Sequence, residues 1–177
     1  MAVKTNAQLA AYFNTGDQPS ESNFGDLIDT VQPSHVLLGD EDVSLTAATH
    51  GFRTLIMPAL GSADRTITLP TSFSADSVWF HIIYFGELDA ADDYDLLIKT
   101  GTQNTHFFHG CVMHHDTDAD SSGAALNVPV FGDGDSNDVF NLQLGAYANV
   151  WIHAKSTTAW YIWGNTAGAT TLTIGDS

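Results

Sequence analysis

Apolar residues near the amino end of the chain recur at helical spacing. Leu9, Tyr12 and Phe13 fall on one face of a predicted first helix, and Thr5 or Asn6 is placed to cap its free amides. Neither this helix nor the one after it exceeds about three turns, so neither is stable alone in water.

A second helix follows after a short turn. Gly16 ends the first helix, Asp17 is the predicted cap of the second, and Pro19 falls in its first turn, where a missing amide is harmless. The apolar stripe of this second helix comprises Phe24, Leu27, Ile28 and Val31. The two stripes must meet each other, the rest of the chain or another chain, and we interpret residues 1–31 as a helical docking segment.

After Val31 the apolar residues no longer follow a helical period and instead form short runs. Residues 32–64, punctuated by proline and glycine, predict a linker and a first strand or two. Beyond them nine strands are predicted, at Arg65–Pro70, Ser77–Phe85, Tyr94–Thr100, His106–His114, Asn127–Phe131, Val139–Leu144, Val150–Ala154, Trp160–Trp163 and Thr170–Ile174. Short strands at this spacing predict a mainly β chain, with a β-sandwich or jelly-roll-like domain over residues 65–177.

The helical stretch carries a resemblance to a known family. Its pattern Leu-x-x-Tyr-Phe-x-Thr-Gly-Asp-x-Pro-Ser-x-x-x-Phe-x-x-Leu-Ile-Asp, from Leu9 to Asp29, resembles a short helical module of virion structural proteins of tailed bacteriophages. In that family the module precedes β-rich fibre, head-decoration or other surface domains. The resemblance implies a virion component without choosing among these types.

Two pieces of the β region are similar to the same family. Residues 63–70, ADRTITLP, resemble the strand that opens such β domains, and residues 147–154 with 159–164 resemble a terminal hairpin carrying a Trp-Tyr pair. The segment between Phe85 and Leu144 matches nothing in that family.

Charge is the most unbalanced property of the composition. Five Lys and Arg stand against 21 Asp and Glu, for a formal net charge of −16. The cations are scattered, so we expect no nucleic-acid partner, because phosphate binding needs clustered cations. An acidic outward surface is the simpler explanation, and adaptation to a salty environment would produce the same excess.

The single cysteine, Cys111, excludes an internal disulfide framework, and a lone cysteine is most often a small buried residue.

The first residues lack a basic start followed by an apolar run, and no window approaches the roughly 20 apolar residues that cross a bilayer. We therefore expect no signal peptide, no membrane partner, and synthesis in a host cytoplasm.

Two acidic loops are the candidates for cation binding. Asp116, Asp118 and Asp120 place carboxylates at alternating positions, and a second loop has the similar series Asp133, Asp135 and Asn137. Such oxygens suit Ca²⁺, but both loops lack the glycine and the bidentate glutamate of an EF-hand. An irregular Ca²⁺ site and a solvated turn remain as alternatives, and we assign no metal ligand.

Four histidines, His106, His109, His114 and His115, lie close to Cys111. In an extended strand they point to opposite sides, which disfavours a zinc site. The chain also has no serine-elbow motif, phosphate-binding glycine loop or metalloprotease helix. We therefore expect no enzyme, no catalytic residue and no cofactor.

The predicted function is that of a capsid cement or decoration protein on the capsid exterior. It binds the major capsid protein through the helical segment and associates with itself, as a homotrimer by the family resemblance. One alternative is a tail-fibre or receptor-binding module using the loops Gly86–Asp93 and Asp116–Gly123. Another is a carbohydrate-binding sandwich in which tryptophans stack on sugars, with Trp79, Trp151, Trp160 and Trp163 as the candidates.

Overall fold

The computed structural model describes residues 4, 6–13, 18–31, 35–86, 94–116, 125–130, 138–142, 145–168 and 172–175. The helices in these residues are α1 (Asn6–Tyr12), α2 (Glu21–Val31) and α3 (Ala47–His50). The strands are β1 (His35–Leu37), β2 (Val43–Ser44), β3 (Arg53–Met57), β4 (Arg65–Thr68), β5 (Trp79–Phe85), β6 (Leu96–Lys99), β7 (Phe107–Asp116), β8 (Ala125–Val130), β9 (Val139–Leu142), β10 (Gly145–Ala154), β11 (Ala159–Gly168) and β12 (Thr173–Gly175).

The prediction of a mainly β chain is confirmed. Each of the nine strands predicted after residue 64 overlaps one of the strands from β4 to β12. The region predicted as a linker with a first strand or two contains β1, β2 and β3, together with the one-turn helix α3. Thr46 caps α3, and its hydroxyl accepts from the Thr49 amide at 3.1 Å.

The strands form two sheets. A seven-stranded sheet has the order β1-β3-β5-β10-β11-β7-β8, and a five-stranded sheet has the order β12-β9-β6-β4-β2. A jelly roll is built from antiparallel strands. In the described part of the chain, five of the ten strand pairs are parallel, including β1 with β3, β3 with β5 and β7 with β11.

The first six strands alternate between the sheets. β1, β3 and β5 lie side by side and parallel in the larger sheet, while β2, β4 and β6 do the same in the smaller one. Parallel neighbours need a long connection, which is usually a helix. Here the connection is a strand of the opposite sheet, so the chain makes three successive turns of a coil before β9 and β10 add antiparallel strands.

The two sheets share one hydrophobic core. Inward residues of the larger sheet, such as Phe80, Ile82 and Trp160, belong to the same buried cluster as Ile98 and Phe140 of the smaller sheet. All five are at most 1% exposed. This core leaves the other side of the larger sheet facing outward.

The start of α2 differs from the sequence prediction. Ser20 lies next to the helix, its hydroxyl accepts from the Asn23 amide at 3.3 Å, and the Asn23 side-chain oxygen accepts from the Ser20 amide at 2.8 Å. This reciprocal pair acts as a capping box, with Asn in place of Glu or Gln. The prediction of Asp17 as cap, with Pro19 inside the first turn, was wrong because Ser20 supplies the capping oxygen one residue before Glu21; Asp17 itself lies outside the described residues.

Among the described residues no helix is long and apolar enough to span a membrane.

The helices α1 and α2 contact each other: the Tyr12 hydroxyl donates to the Asp26 carboxylate at 2.9 Å, and the Phe13 and Phe24 rings lie 6.0 Å apart in an edge-to-face arrangement.

Candidate interaction surfaces

The outward side of the seven-stranded sheet carries a row of large side chains. Alternation along each strand sends one residue in two outward, and the strand register aligns them from strand to strand. Thr54, His81, Trp151, Trp163 and Cys111 are successive partners across β3, β5, β10, β11 and β7.

Two hydrogen bonds fix the orientation of the His81 ring in this row. Its Nδ1 lies 3.1 Å from the Thr54 hydroxyl, and its Nε2 lies 2.7 Å from the side-chain oxygen of Asn149. Because a carbonyl oxygen only accepts, Nε2 carries the proton, and in the neutral ring Nδ1 accepts from the hydroxyl. Both ring nitrogens are therefore satisfied by the protein.

The rings in this row are parallel. The His81 and Trp151 rings stack at 4.1 Å with 6° between their planes, and the Trp151 and Trp163 rings are 6.4 Å apart with 8° between theirs. Each ring therefore turns a face toward its neighbour on the next strand. The middle indole, Trp151, has an aromatic ring on both sides.

A second row lies next to the first. Trp79, His153, Tyr161 and His109 are successive partners across β5, β10, β11 and β7. The Trp79 ring lies 5.1 Å from that of Trp151, which links the two rows. We call Trp79, His81, Trp151, Tyr161 and Trp163 the aromatic face.

Charged groups border this second row. The Lys155 ammonium lies 4.8 Å from the centre of the Tyr161 ring, a cation–π distance. His153 Nε2 lies 3.8 Å from an Asp76 carboxylate oxygen, an ion pair only when the imidazole is protonated. Burial, with a smaller effect from Lys155, lowers the pKa of His109.

Large parts of the aromatic face are open to solvent. Trp163 is 45% exposed and Tyr161 43%, although they belong to well-formed central strands. Aromatic side chains in contiguous exposed patches mark interaction sites more often than isolated exposed ones do. This patch is therefore the first candidate surface.

Acidic side chains are distributed very differently. Of the 21 acidic residues, only Asp116, the last residue of β7, falls within a strand that the structure describes. The outward positions of β5, β10 and β11 carry aromatic, histidine, amide and apolar side chains. Among the described residues, acidic side chains therefore lie on helices and loops and at the end of β7, not at the centre of the sheet.

A second candidate surface lies on α1 and α2, where Phe13, Phe24 and Ile28 are 45%, 48% and 54% exposed. We call these three residues the helical face. Lys4 and Tyr12 both contact Asp26 on the other side of the pair, at 3.5 and 2.9 Å. The helices are thus joined by polar contacts while part of their predicted apolar stripe stays exposed; Leu9 and Leu27 are half-buried.

The histidines near Cys111 do not converge. His106 and His114 are buried, and His114 Nδ1 lies 2.9 Å from the Thr166 hydroxyl, whereas His109 and His115 point to the outward side. Burial lowers the pKa of His106. The structure has no group of three or more potential metal ligands within its described residues.

The exposure of Cys111 and of the tryptophans could not be predicted from composition. Cys111 is exposed on the outward row, so the expectation of a buried thiol was wrong. Of the four tryptophans, Trp160 is fully buried in the core, while Trp79, Trp151 and Trp163 belong to the aromatic face. A strict alternation count from the buried residues of β11 is the signal that would have separated Trp160 from Trp163.

Most of the two acidic loops lies outside the described residues. Asp118, Asp120, Asp133, Asp135 and Asn137 lie outside the described residues, as does the side chain of Asp116. Most of the two loops proposed for receptor contact, Gly86–Asp93 and Asp116–Gly123, also lies outside them.

Within the described part of the chain, Arg65 and Lys4 pair with nearby carboxylates. Arg65 Nε donates to Asp40 at 2.7 Å, and this hydrogen bond holds the pKa of Asp40 below its usual value. Lys4 pairs with Asp26 at 3.5 Å, and the charge of Asp26 raises the pKa of Lys4. These cations belong to local ion pairs on separate elements.

Comparison with known proteins finds no relative: no family model, no curated protein and no solved structure matches the chain.

Proposed function

We propose that the chain is a non-enzymatic virion structural protein, a cement or decoration protein of a phage capsid exterior, made in the host cytoplasm. Its partners are the major capsid protein and other copies of itself, as a homotrimer, with no nucleic acid and no membrane. The resemblance of residues 9–29 to phage virion proteins supports the virion assignment. The helical face is the observation that supports docking.

The proposed architecture is a β-sandwich with a helical hairpin at its amino end. The core shared by the two sheets supports the sandwich. The contacts of Tyr12 with Asp26 and of Phe13 with Phe24 support the hairpin. In this arrangement the β domain projects from the shell while the hairpin lies against it.

The size of the helical face determines how it can act. Burying an apolar side chain completely contributes about 1.5–3 kcal/mol, so covering the exposed half of Phe13, Phe24 and Ile28 contributes about 1 kcal/mol each. A total of about 3 kcal/mol corresponds to weak binding by one copy. Three linked copies bind far more tightly, because the second and third contacts become intramolecular. Weak docking therefore requires an oligomer.

The test is co-sedimentation with capsid shells assembled without this chain. We expect saturable binding by the full chain and loss of binding when residues 1–31 are removed. Ile28→Asp places a charge in the helical face and should also abolish binding. Ser22→Asp adds the same charge at an exposed polar position of α2 and should bind normally.

Two results would contradict this proposal. Equal binding with and without residues 1–31 would remove the helical face from docking. Absence of binding by every variant would move the assignment to the tail, as a fibre or receptor-binding module.

A further inference from the structure

We propose that the aromatic face is the surface through which copies of this chain associate with one another. This inference deepens the proposed self-association and rests on that part of the proposed function alone. It does not depend on a capsid being the particle that the chain joins.

Electrostatics favour this surface for self-association. Copies that each carry a formal charge of −16 repel one another wherever their acidic helices and loops approach. The centre of the seven-stranded sheet is different, because β3, β5, β10 and β11 contain no Asp or Glu. Two copies can therefore bring these centres together with little like-charge repulsion.

The extent of the surface is at the lower end of the roughly 600–1,000 Å² that stable interfaces bury on each partner. With strands about 4.8 Å apart and about 3.3 Å per residue, the four long central strands and their neighbours cover on the order of 500–700 Å². A standard interface buries about 800 Å² on each partner. The composition also fits, because tryptophan and tyrosine are enriched at interface centres.

The outward side of the five-stranded sheet differs in composition from the aromatic face. Its outward positions include Thr66, Thr68 and Thr173 in place of aromatic residues, although its described strands likewise contain no Asp or Glu. Absence of carboxylates alone therefore does not select a face. The exposed Trp163 and Tyr161 distinguish the larger sheet.

A sugar is a poorer occupant of the aromatic face than a second copy. A sugar stacks on the open face of a ring, whereas the Trp151 indole has the His81 ring 4.1 Å away on one side and the Trp163 ring 6.4 Å away on the other. Both nitrogens of His81 already have partners in Thr54 and Asn149. The row of His81, Trp151 and Trp163 thus presents ring edges, which suit packing against apolar side chains of another sheet.

The experiment measures the mass of the full chain and the reactivity of its single thiol. Sedimentation equilibrium over about 1–100 μM should give a multiple of 19.0 kDa. Cys111 lies beside Trp163 on the outward row, so its labelling by a maleimide should slow as the protein concentration rises. Protection of this thiol identifies the face as well as the association.

Trp163→Glu places a charge at the exposed centre of the row. It should raise the dissociation constant by about 30-fold or more, the effect of removing an interface hot spot, and restore rapid labelling of Cys111. Thr173→Glu adds the same charge to an exposed position of the smaller sheet and should change neither result. Met113→Glu, at another exposed outward position, provides a second variant if Trp163→Glu misfolds by circular dichroism.

Several outcomes would overturn the inference. These are a monomer at 100 μM, an oligomer in which Cys111 labels freely, and oligomers unaffected by both Trp163→Glu and Met113→Glu. Glycan binding by a monomeric wild type, lost in Trp163→Glu, would assign the face to a sugar. A dimer with a protected thiol supports the inference and contradicts only the proposed homotrimer, and loss of capsid binding alone leaves it intact.

Discussion

Replacing Gly164 by alanine, which adds one methyl group, tests the packing of the central strands. Gly164 lies in β11 directly after Trp163, opposite Val150 of β10, and has a φ of 147°. A Cβ at this position would lie 2.1 Å from the Asn149 carbonyl oxygen and 2.8 Å from the Val150 Cα. Both neighbours are main-chain atoms, so no side chain can rotate away to make room.

The expected loss of stability in Gly164→Ala has two causes. Holding alanine at this positive φ costs about 1–3 kcal/mol. Relieving the contact requires β10 and β11 to separate by about 1 Å, which breaks one or two ladder hydrogen bonds worth about 1 kcal/mol each. Gly164→Ala should therefore lower the free energy of unfolding by about 2–5 kcal/mol. For a chain of this size that lowers the Tm by about 4–20 °C.

The assay is thermal unfolding followed by far-ultraviolet circular dichroism, with Gly175→Ala as the matched control. Gly175 lies in β12, and a Cβ there would have no atom within 4 Å. The control should not lower the Tm and should raise it by at most about 4 °C, since an unhindered Gly→Ala change stabilises the fold by only about 0.4–1 kcal/mol. Equal Tm values for the two variants would refute the close approach of β10 and β11 at this point.

Two further predictions concern stability. Burial lowers the pKa of His50, His106 and His109 below 6.5, so their neutral forms favour the folded state. Their contribution is fully present above about pH 6.5 and is lost as the pH falls through their folded pKa values. Calorimetry should show a Tm lower at pH 5.5 than at pH 7.5, with a smaller decrease in His106→Leu; a Tm unchanged or higher at pH 5.5 would contradict this. Phe80→Ala should cost about 3–5 kcal/mol in urea unfolding, because Phe80 is fully buried, whereas Ile28→Asp should cost less than about 1 kcal/mol. Comparable losses in both would place the helical face inside the core.

The secondary structure was largely accessible from the sequence. The continuous run of aromatic and β-branched residues over Trp79–Phe85 marks a strand, because such side chains fit an extended, pleated backbone whatever the strand pairs with. The helical spacing of Phe24, Leu27 and Ile28 is equally local, and α2 is found there. Local periodicity also shows that one side of most strands is buried.

Tertiary structure decided how these strands pair. An alternating strand looks the same with a parallel or an antiparallel neighbour, so the parallel stacking of β1, β3 and β5 had no local signal. It arises because the chain crosses to the other sheet after each of these strands. The strands that pair are therefore far apart in sequence. The Ser20 cap had a local signal in Ser20 and Asn23, but Asp17 competed with it.

The same division applies to the candidate surfaces. The sequence by itself determined that the chain is strongly acidic, mainly β and rich in aromatic residues. Only the tertiary structure aligned His81, Trp151 and Trp163 into one outward row with Cys111 beside them. The physical reason is that a residue's side of a sheet follows from local alternation, whereas its neighbours across the sheet follow from the register of strands that are distant along the chain.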